Sequence, residues 1–335
     1  MGQLAQAIER LGVETSVLNY SDSAPLSPRF TVVPSPEFAR FISHFRPDVV
    51  FTDTYGFDAW FARAFSCPTI AYMLGDFWEE FRYLYYIRAE VKSVPRLVAS
   101  TWIKFIHERG LDFSHTIMPV SKWLAERVRS RLTHKRVKVL YHPFDSRIQT
   151  SSEGGRSLHL RHPAVVSLFQ FRVWPKLIGL IRFFEVATKM PDLNFYIAGS
   201  GPYFKRLTSM KIPSNLVFLG ELEYPTEVKA FLTDGEVYAH PSGLDACPVS
   251  VMEAQLMEKP VIASNVGGIP EVTSNAQLLV DYDDTRSWIR SIRYLLDHPD
   301  EAKRIGLDGR RYVERKFAVE MISRELFQYL QGVVL

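Results

Sequence analysis

At 335 residues, 47% of them hydrophobic and 23% charged, the chain is too apolar for a disordered polymer. It is also long enough for two domains, since single cores rarely grow past about 250 to 300 residues. Its 40 Lys and Arg against 37 Asp and Glu leave a formal charge of only +3, short of the lopsided basic excess usual in nucleic-acid binders, so no nucleic-acid partner is expected.

In chain order, Met1 to Leu11 reads as an amphipathic helix with Leu4, Ile8 and Leu11 on one stripe, and it lacks the apolar run of a signal peptide. Short apolar runs at Glu14 to Leu18, Phe30 to Val33, Asp48 to Thr52 and Thr69 to Met73 then alternate with polar or helical segments. That alternation predicts a parallel sheet with crossover helices. Thr116 to Val120 is a further strand leading into a helix from Ser121, and Lys138 to Tyr141 closes the first half. Residues 146–161 shift to Ser, Gly, Arg and Thr, the composition of a linker. Strands are expected again at Ala164 to Phe169, Asn194 to Ala198, Leu216 to Leu219, Val237 to Ala239 and Val261 to Ser264, and a last helix at Ala318 to Leu330. The expected organisation is therefore α/β with two Rossmann-like domains, 1–145 and 162–317, joined by the linker 146–161, with 318–335 a closing helix that returns to the first domain.

A doubly wound domain opens with a strand and a Gly-rich turn, whereas this chain opens at the helix that follows them. Either the given start is expected to lie downstream of the true one, or the first domain is expected to have a gap where its first strand should be. Met1 is expected to be an internal methionine, with a slot in the first sheet between Glu14 to Leu18 and Asp48 to Thr52.

The stretch from His240 through Pro241, Ser242, Asp245, Pro248 and Glu253 reads as strand, loop and helix. Pro248 suits the first helical position, where a missing N–H costs nothing. The amides of Ala246, Cys247, Pro248, Val249 and Ser250 then surround an anion site at a helix N-terminus, on the carboxyl edge of a parallel sheet. Asp245 in the loop and Glu253 in the first turns can accept hydrogen bonds from sugar or ribose hydroxyls. The same pair also fits a helix cap and a surface carboxylate.

This stretch resembles the signature of retaining glycosyltransferase family 4: Pro241 and Ser242, an acidic residue at 245, seven residues, Glu253 and Ala254, then Pro260 to Ser264 and Gly267 to Glu271. Upstream, Phe171, Arg172 and Lys176 resemble the family's Gly-Arg strand end and following Lys, and Gly199, Ser200, Gly201 and Pro202 its Gly-x-Gly-Pro turn. The resemblance covers roughly Ala164 to Tyr329 well. It implies a GT-B fold, two domains facing each other across a cleft, with a nucleotide-sugar donor held mainly by the second and a glycan, lipid-linked or small-molecule acceptor by the first. Arg172 and Lys176 would neutralise the donor diphosphate, Gly199 and Gly201 would let backbone approach it, and Glu253 would serve catalysis. No tightly bound metal or other cofactor is expected. Asp76 stands after Thr69 to Met73, where many members carry a histidine, and is the candidate sugar-facing group, with a helix N-cap as its other reading. Asp245 in place of the usual Glu, Phe171 in place of Gly, and the absent N-terminal Gly-rich loop depart from the family.

Asp281, Asp283 and Asp284 precede a helix near Thr285 and are expected to cap it rather than hold a metal. His142 and His240 are expected to be satisfied polar groups near strand ends. Between Phe77 and Phe113 aromatic residues mix with Arg and Lys, a composition that suits peripheral membrane contact. Helical spacing of Val98, Trp102, Phe105 and Ile106 instead favours packing. A cytoplasmic location, reaching to the inner membrane surface, fits the two unspaced cysteines and the lack of any run of ~20 apolar residues. Two other readings remain at this stage: a nucleotide-sugar or glycan binder without turnover, and a nucleotide-sugar epimerase.

Overall fold

The computed structural model describes residues 2–15, 44, 46–52, 67–80, 94–132, 136–144 and 158–334. They form two compact units, Met1–Pro143 with Phe317–Leu335, and Phe144–Lys316.

The first unit holds a parallel sheet of β1 (Val50–Thr52), β2 (Thr69–Met73), β3 (Thr116–Pro119) and β4 (Arg136–Val137), in that order. Every residue of β2 and β3 is buried, as a continuous apolar run in a sheet covered on both faces demands. The sequence places the fourth strand at Lys138 to Tyr141, while the structure starts it at Arg136. Bonds from Lys138 N to Ile117 O (3.1 Å) and Leu140 N to Pro119 O (3.0 Å) carry the same ladder onward. Ser121 caps the helix Lys122–Arg131 by accepting the Leu124 N–H, and Leu124, Ala125 and Val128 turn inward. The helices Gly2–Glu9 and Val319–Val334 pack on each other, burying Leu4, Ala7 and Ile8 of the first and Ile322 and Leu326 of the second. The expected strand at Phe30 to Val33, most of Glu14 to Leu18, and with them the slot in the sheet lie outside the described residues.

The long helix Val94–Phe113 corrects one expectation. Trp102 and Phe105 are 61% and 43% exposed and meet edge to face at 6.0 Å, while Leu111 and the nearby Phe77 are fully buried. Helical spacing gathered the two rings on one stripe without supplying a surface to cover it. No helix among the described residues is long and apolar enough to cross a membrane.

The second unit is a six-stranded parallel sheet built from β5 (Ala164–Leu168), β6 (Asn194–Ala198), β7 (Leu216–Gly220), β8 (Val237–His240), β9 (Val261–Ser264) and β10 (Leu279–Val280). Its order is β10-β9-β8-β5-β6-β7. The chain runs outward from β5 to β7, then returns to the other side of β5 with β8, so the strand order reverses between β5 and β8. In such sheets the crevice at the carboxyl ends of those two strands receives ligands. The core beneath is aromatic: Phe183 meets Phe195 at 5.6 Å and Trp288 at 5.2 Å, all three fully buried. Gln277 to Val280 is only partly strand, because the Asn275 side chain accepts the Gln277 N–H and turns the chain first. Asp284 caps the helix Thr285–Asp297, accepting from the Ser287 N–H at 3.1 Å and its hydroxyl at 2.6 Å.

Candidate functional site

At the strand reversal, β8 ends in His240 and the chain passes through Pro241–Pro248 into the helix Val249–Leu256. Two glycines bring this loop against the helix Trp174–Thr188. A Cβ on Gly179 would stand 2.7 Å from Pro241 O, and one on Gly243 would stand 2.4 Å from Pro175 O, so the two backbones touch where side chains would separate them. Gly243 N also donates to Lys176 O at 3.1 Å. With its backbone fixed there, Lys176 reaches Asp245, Nζ to Oδ2, at 2.9 Å. A third segment closes on the same residue: Gly268 N donates to Asp245 O at 2.8 Å, and Gly267, at φ 61°, would drive a Cβ to 2.1 Å from that oxygen. The glycines of the loop 267–271 thus serve close approach to Asp245.

Only 8% of the Asp245 side chain is exposed. Burial by itself would raise its carboxyl. The charge of Lys176 and the proximity of His240 outweigh that and hold it well below the usual carboxylate range. His240 is 2% exposed, and its ring stacks on Phe169 at 4.9 Å and 9°. Nδ1 lies 3.4 Å from the Tyr238 hydroxyl, whereas Nε2 has no hydrogen-bond partner and faces Asp245 Oδ2 at 3.6 Å. The expectation of a satisfied histidine therefore holds at one nitrogen only. Burial pushes the Tyr238 phenol far up, opposed by hydrogen bonding with Ser250 and reinforced by the charge of Glu253. His142 is the contrasting case: Nδ1 meets Pro143 O at 2.7 Å, and burial lowers its pKa.

Among the other candidates, Arg172 is exposed and has no ion-pair partner among the described residues. Phe171 before it occupies the glycine position of the family pattern because its ring is core, 5.7 Å from Phe204 and 6.1 Å from Phe218. Gly199 and Gly201 face protein backbone: a Cβ on either would strike the carbonyl of Phe169 or Phe171. Phe169 N and Phe171 N donate to Ala198 O and Ser200 O, extending the pairing of β5 with β6 through the turn. Pro248 is the helix cap rather than the first helical residue, since its ψ of 110° is extended, and it supplies no side-chain acceptor to the first turn. Ala246 is buried, Cys247, Val249 and Ser250 are half-buried, and Glu253 is 9% exposed in the same helix. Asp76, in the first unit, is the buried N-cap of the helix that begins at Phe77, accepting the Glu79 N–H at 3.2 Å and ion-paired to Arg127.

Sequence reasoning passed over a clamp on the loop after β9. The Glu271 carbonyl accepts from both the Tyr312 hydroxyl and the Lys316 ammonium at 2.7 Å, tying that loop to the helix Pro299–Phe317. Burial lowers the Lys316 pKa, opposed by the charge of Glu271. No spacing rule signals a contact made across 41 and 45 residues.

Residues 163–312 match the family of glycosyl transferases group 1. The match spans nearly the whole second unit, including every residue of the Lys176, His240 and Asp245 cluster. Among proteins of known sequence, the chain is 24% identical over 316 residues to sulfoquinovosyl transferase of Arabidopsis thaliana, covering 88% of this chain and 58% of that one. The chain thus spans less than two thirds of that relative's length. Sucrose-phosphate synthase from Thermosynechococcus elongatus superposes with a TM-score of 0.72 at 17% identity, over 99% of this chain and 92% of the other. HepE of Anabaena, crystallised with UDP, gives 0.69 at 15% identity, over 99% and 96%. These likenesses show the fold: two α/β units with parallel sheets, of the GT-B type.

Proposed function

We propose that the chain is a glycosyltransferase of the EC 2.4 class that moves a sugar from a nucleotide-diphosphate donor to a glycan, lipid-linked or small-molecule acceptor, with retention of anomeric configuration as in family 4. The observation that carries this reading is the buried Asp245–Lys176 pair at the strand reversal, beside a helix whose cap supplies no side-chain acceptor, within the segment that matches the family. Lys176, Arg172 and the amides at the start of Val249–Leu256 would stabilise the departing diphosphate, a charge that grows in the transition state. Asp245 and Glu253 would orient the sugar and ribose hydroxyls. No resident metal enters this scheme. HepE has been crystallised with UDP and with UDP-glucose, so uridine nucleotides are the first donors to test.

The test is a thermal-shift screen of nucleotide sugars, followed by a transfer assay in which NMR reads the anomeric configuration of the product. A β-linked product from an α-linked donor would rule out retention. A binder without turnover has one observation in its favour, the engagement of Asp76 by Arg127, which commits the proposed sugar-facing carboxylate to the protein. Donor binding with neither transfer nor slow hydrolysis would decide for it.

A further inference from the structure

Within the donor reading above, on which this inference rests, one buried polar atom has no assigned task. His240 Nε2 lies in a residue 2% exposed, makes no hydrogen bond, and is directed at Asp245 Oδ2 at 3.6 Å. Lys176 Nζ bonds the same oxygen at 2.9 Å. Both cations or donors around Asp245 therefore address Oδ2, and neither addresses Oδ1.

We propose that His240 is a positioning residue for the donor: together with Lys176 it grips Oδ2 of Asp245 and so turns Oδ1 toward the hydroxyls of the bound nucleotide sugar. The groups around it fix how it does so. Phe169 stacked flat on the imidazole and the hydroxyl of Tyr238 at its other edge restrict the ring to one plane. A neutral imidazole carries one N–H and one acceptor nitrogen, and the hydrogen bond at one nitrogen decides which is which. On this assignment the Tyr238 hydroxyl, which also bonds Ser250, donates to Nδ1 at 3.4 Å, and the ring proton sits on Nε2, where it faces the carboxylate. Among the described residues the groups that act on Asp245 are Lys176 from the helix Trp174–Thr188 and His240 from β8, the charges of Asp245 and Glu253 both act on Tyr238, and Gly268 donates its amide to the Asp245 carbonyl. Asp245 is one methylene shorter than Glu, so a second grip on its carboxylate restores an orientation that a longer side chain would reach unaided.

The experiment uses the full chain with 15N-labelled histidine. Ring-nitrogen NMR is expected to show His240 protonated at Nε2 and bare at Nδ1. Asp245→Asn should shift the Nε2 resonance, and Tyr238→Phe should release the tautomer. Titration with UDP-glucose and UDP follows. His240→Phe, which keeps the stack on Phe169 and loses both nitrogens, should weaken UDP-glucose about tenfold, the scale of one hydrogen bond to a charged group. It should leave UDP alone nearly unchanged. His240→Gln, which retains a donor near the Nε2 position, should recover most of the loss. A proton on Nδ1 in the wild type, or an Nε2 resonance indifferent to Asp245→Asn, would overturn the proposal. So would equal weakening by the Phe and Gln variants. Failure of the wild type to bind either ligand would count against the uridine-sugar reading, whereas the ligand-free spectra still judge the grip on Asp245.

Discussion

Asp245 shows how one carboxylate is kept charged in a buried place. Its stabilising partner Lys176 acts only while the carboxylate is ionised, and its folded pKa is depressed. A depressed acid adds stability that is full above its unfolded value, about 4, and is lost as pH falls through the lower folded value. The stability difference between wild type and Asp245→Asn should therefore be flat from pH 8 to about 5 and shrink below about 4. Urea denaturation at each pH reads it, and a difference that instead grew on acidification would remove the pair from the account. Glu253 belongs to the same scale. Glu253→Gln keeps the volume in a 9% exposed site and removes an anionic acceptor, so transfer should fall by about 10- to 100-fold, as for a lost hydrogen bond to a charged group, with circular dichroism unchanged. Equal rates at saturating donor would contradict its role.

Between elements, the contact that matters is glycine on glycine. The loop after β8 meets the helix Trp174–Thr188 at Gly179 and Gly243, and Lys176 reaches Asp245 only because that gap holds no side chain. Gly179→Ala would force a methyl to within 2.8 Å of Gly243 N, a backbone atom that must shift. A loss of about 1 to 3 kcal/mol in stability is expected. Nucleotide affinity should fall in step, by isothermal titration, and normal affinity would show that the Lys176–Asp245 geometry is not needed. Elements of this kind were legible to different degrees. The strands Thr69–Met73, Asn194–Ala198 and Val261–Ser264 stand where their apolar runs end at turn residues. The helix after Ser121 was marked by its cap. Pro248 was displaced by one position, because proline fixes φ and leaves ψ to choose between cap and helix. The exposed Trp102 and Phe105 were misjudged, since periodicity reports which residues share a face and says nothing of what covers that face. His240 was in plain view beside Pro241, but its bare Nε2 depends on the 3.6 Å spacing to a residue in a loop whose path no pattern encodes.

For the whole molecule, the proposed function rests on the crevice at the carboxyl ends of β5 and β8 in the second unit, and the first unit adds an exposed aromatic stripe. Trp102 and Phe105, with Lys104 and Arg109 half-exposed beside them, form an apolar and basic edge, and we propose that it meets a lipid surface. Replacing both rings by Ser should reduce sedimentation with vesicles of anionic phospholipid by severalfold while donor binding is kept. Unchanged sedimentation would rule out membrane contact through this edge. The central claim is that a nucleotide sugar sits at the carboxyl ends of β5 and β8. Hydrogen–deuterium exchange on the full chain, with and without the nucleotide sugar that gives the largest thermal shift, tests it most directly. The account predicts protection concentrated at 172–176, 240–256 and 265–271. Protection confined to other segments, with these three unchanged, would contradict it.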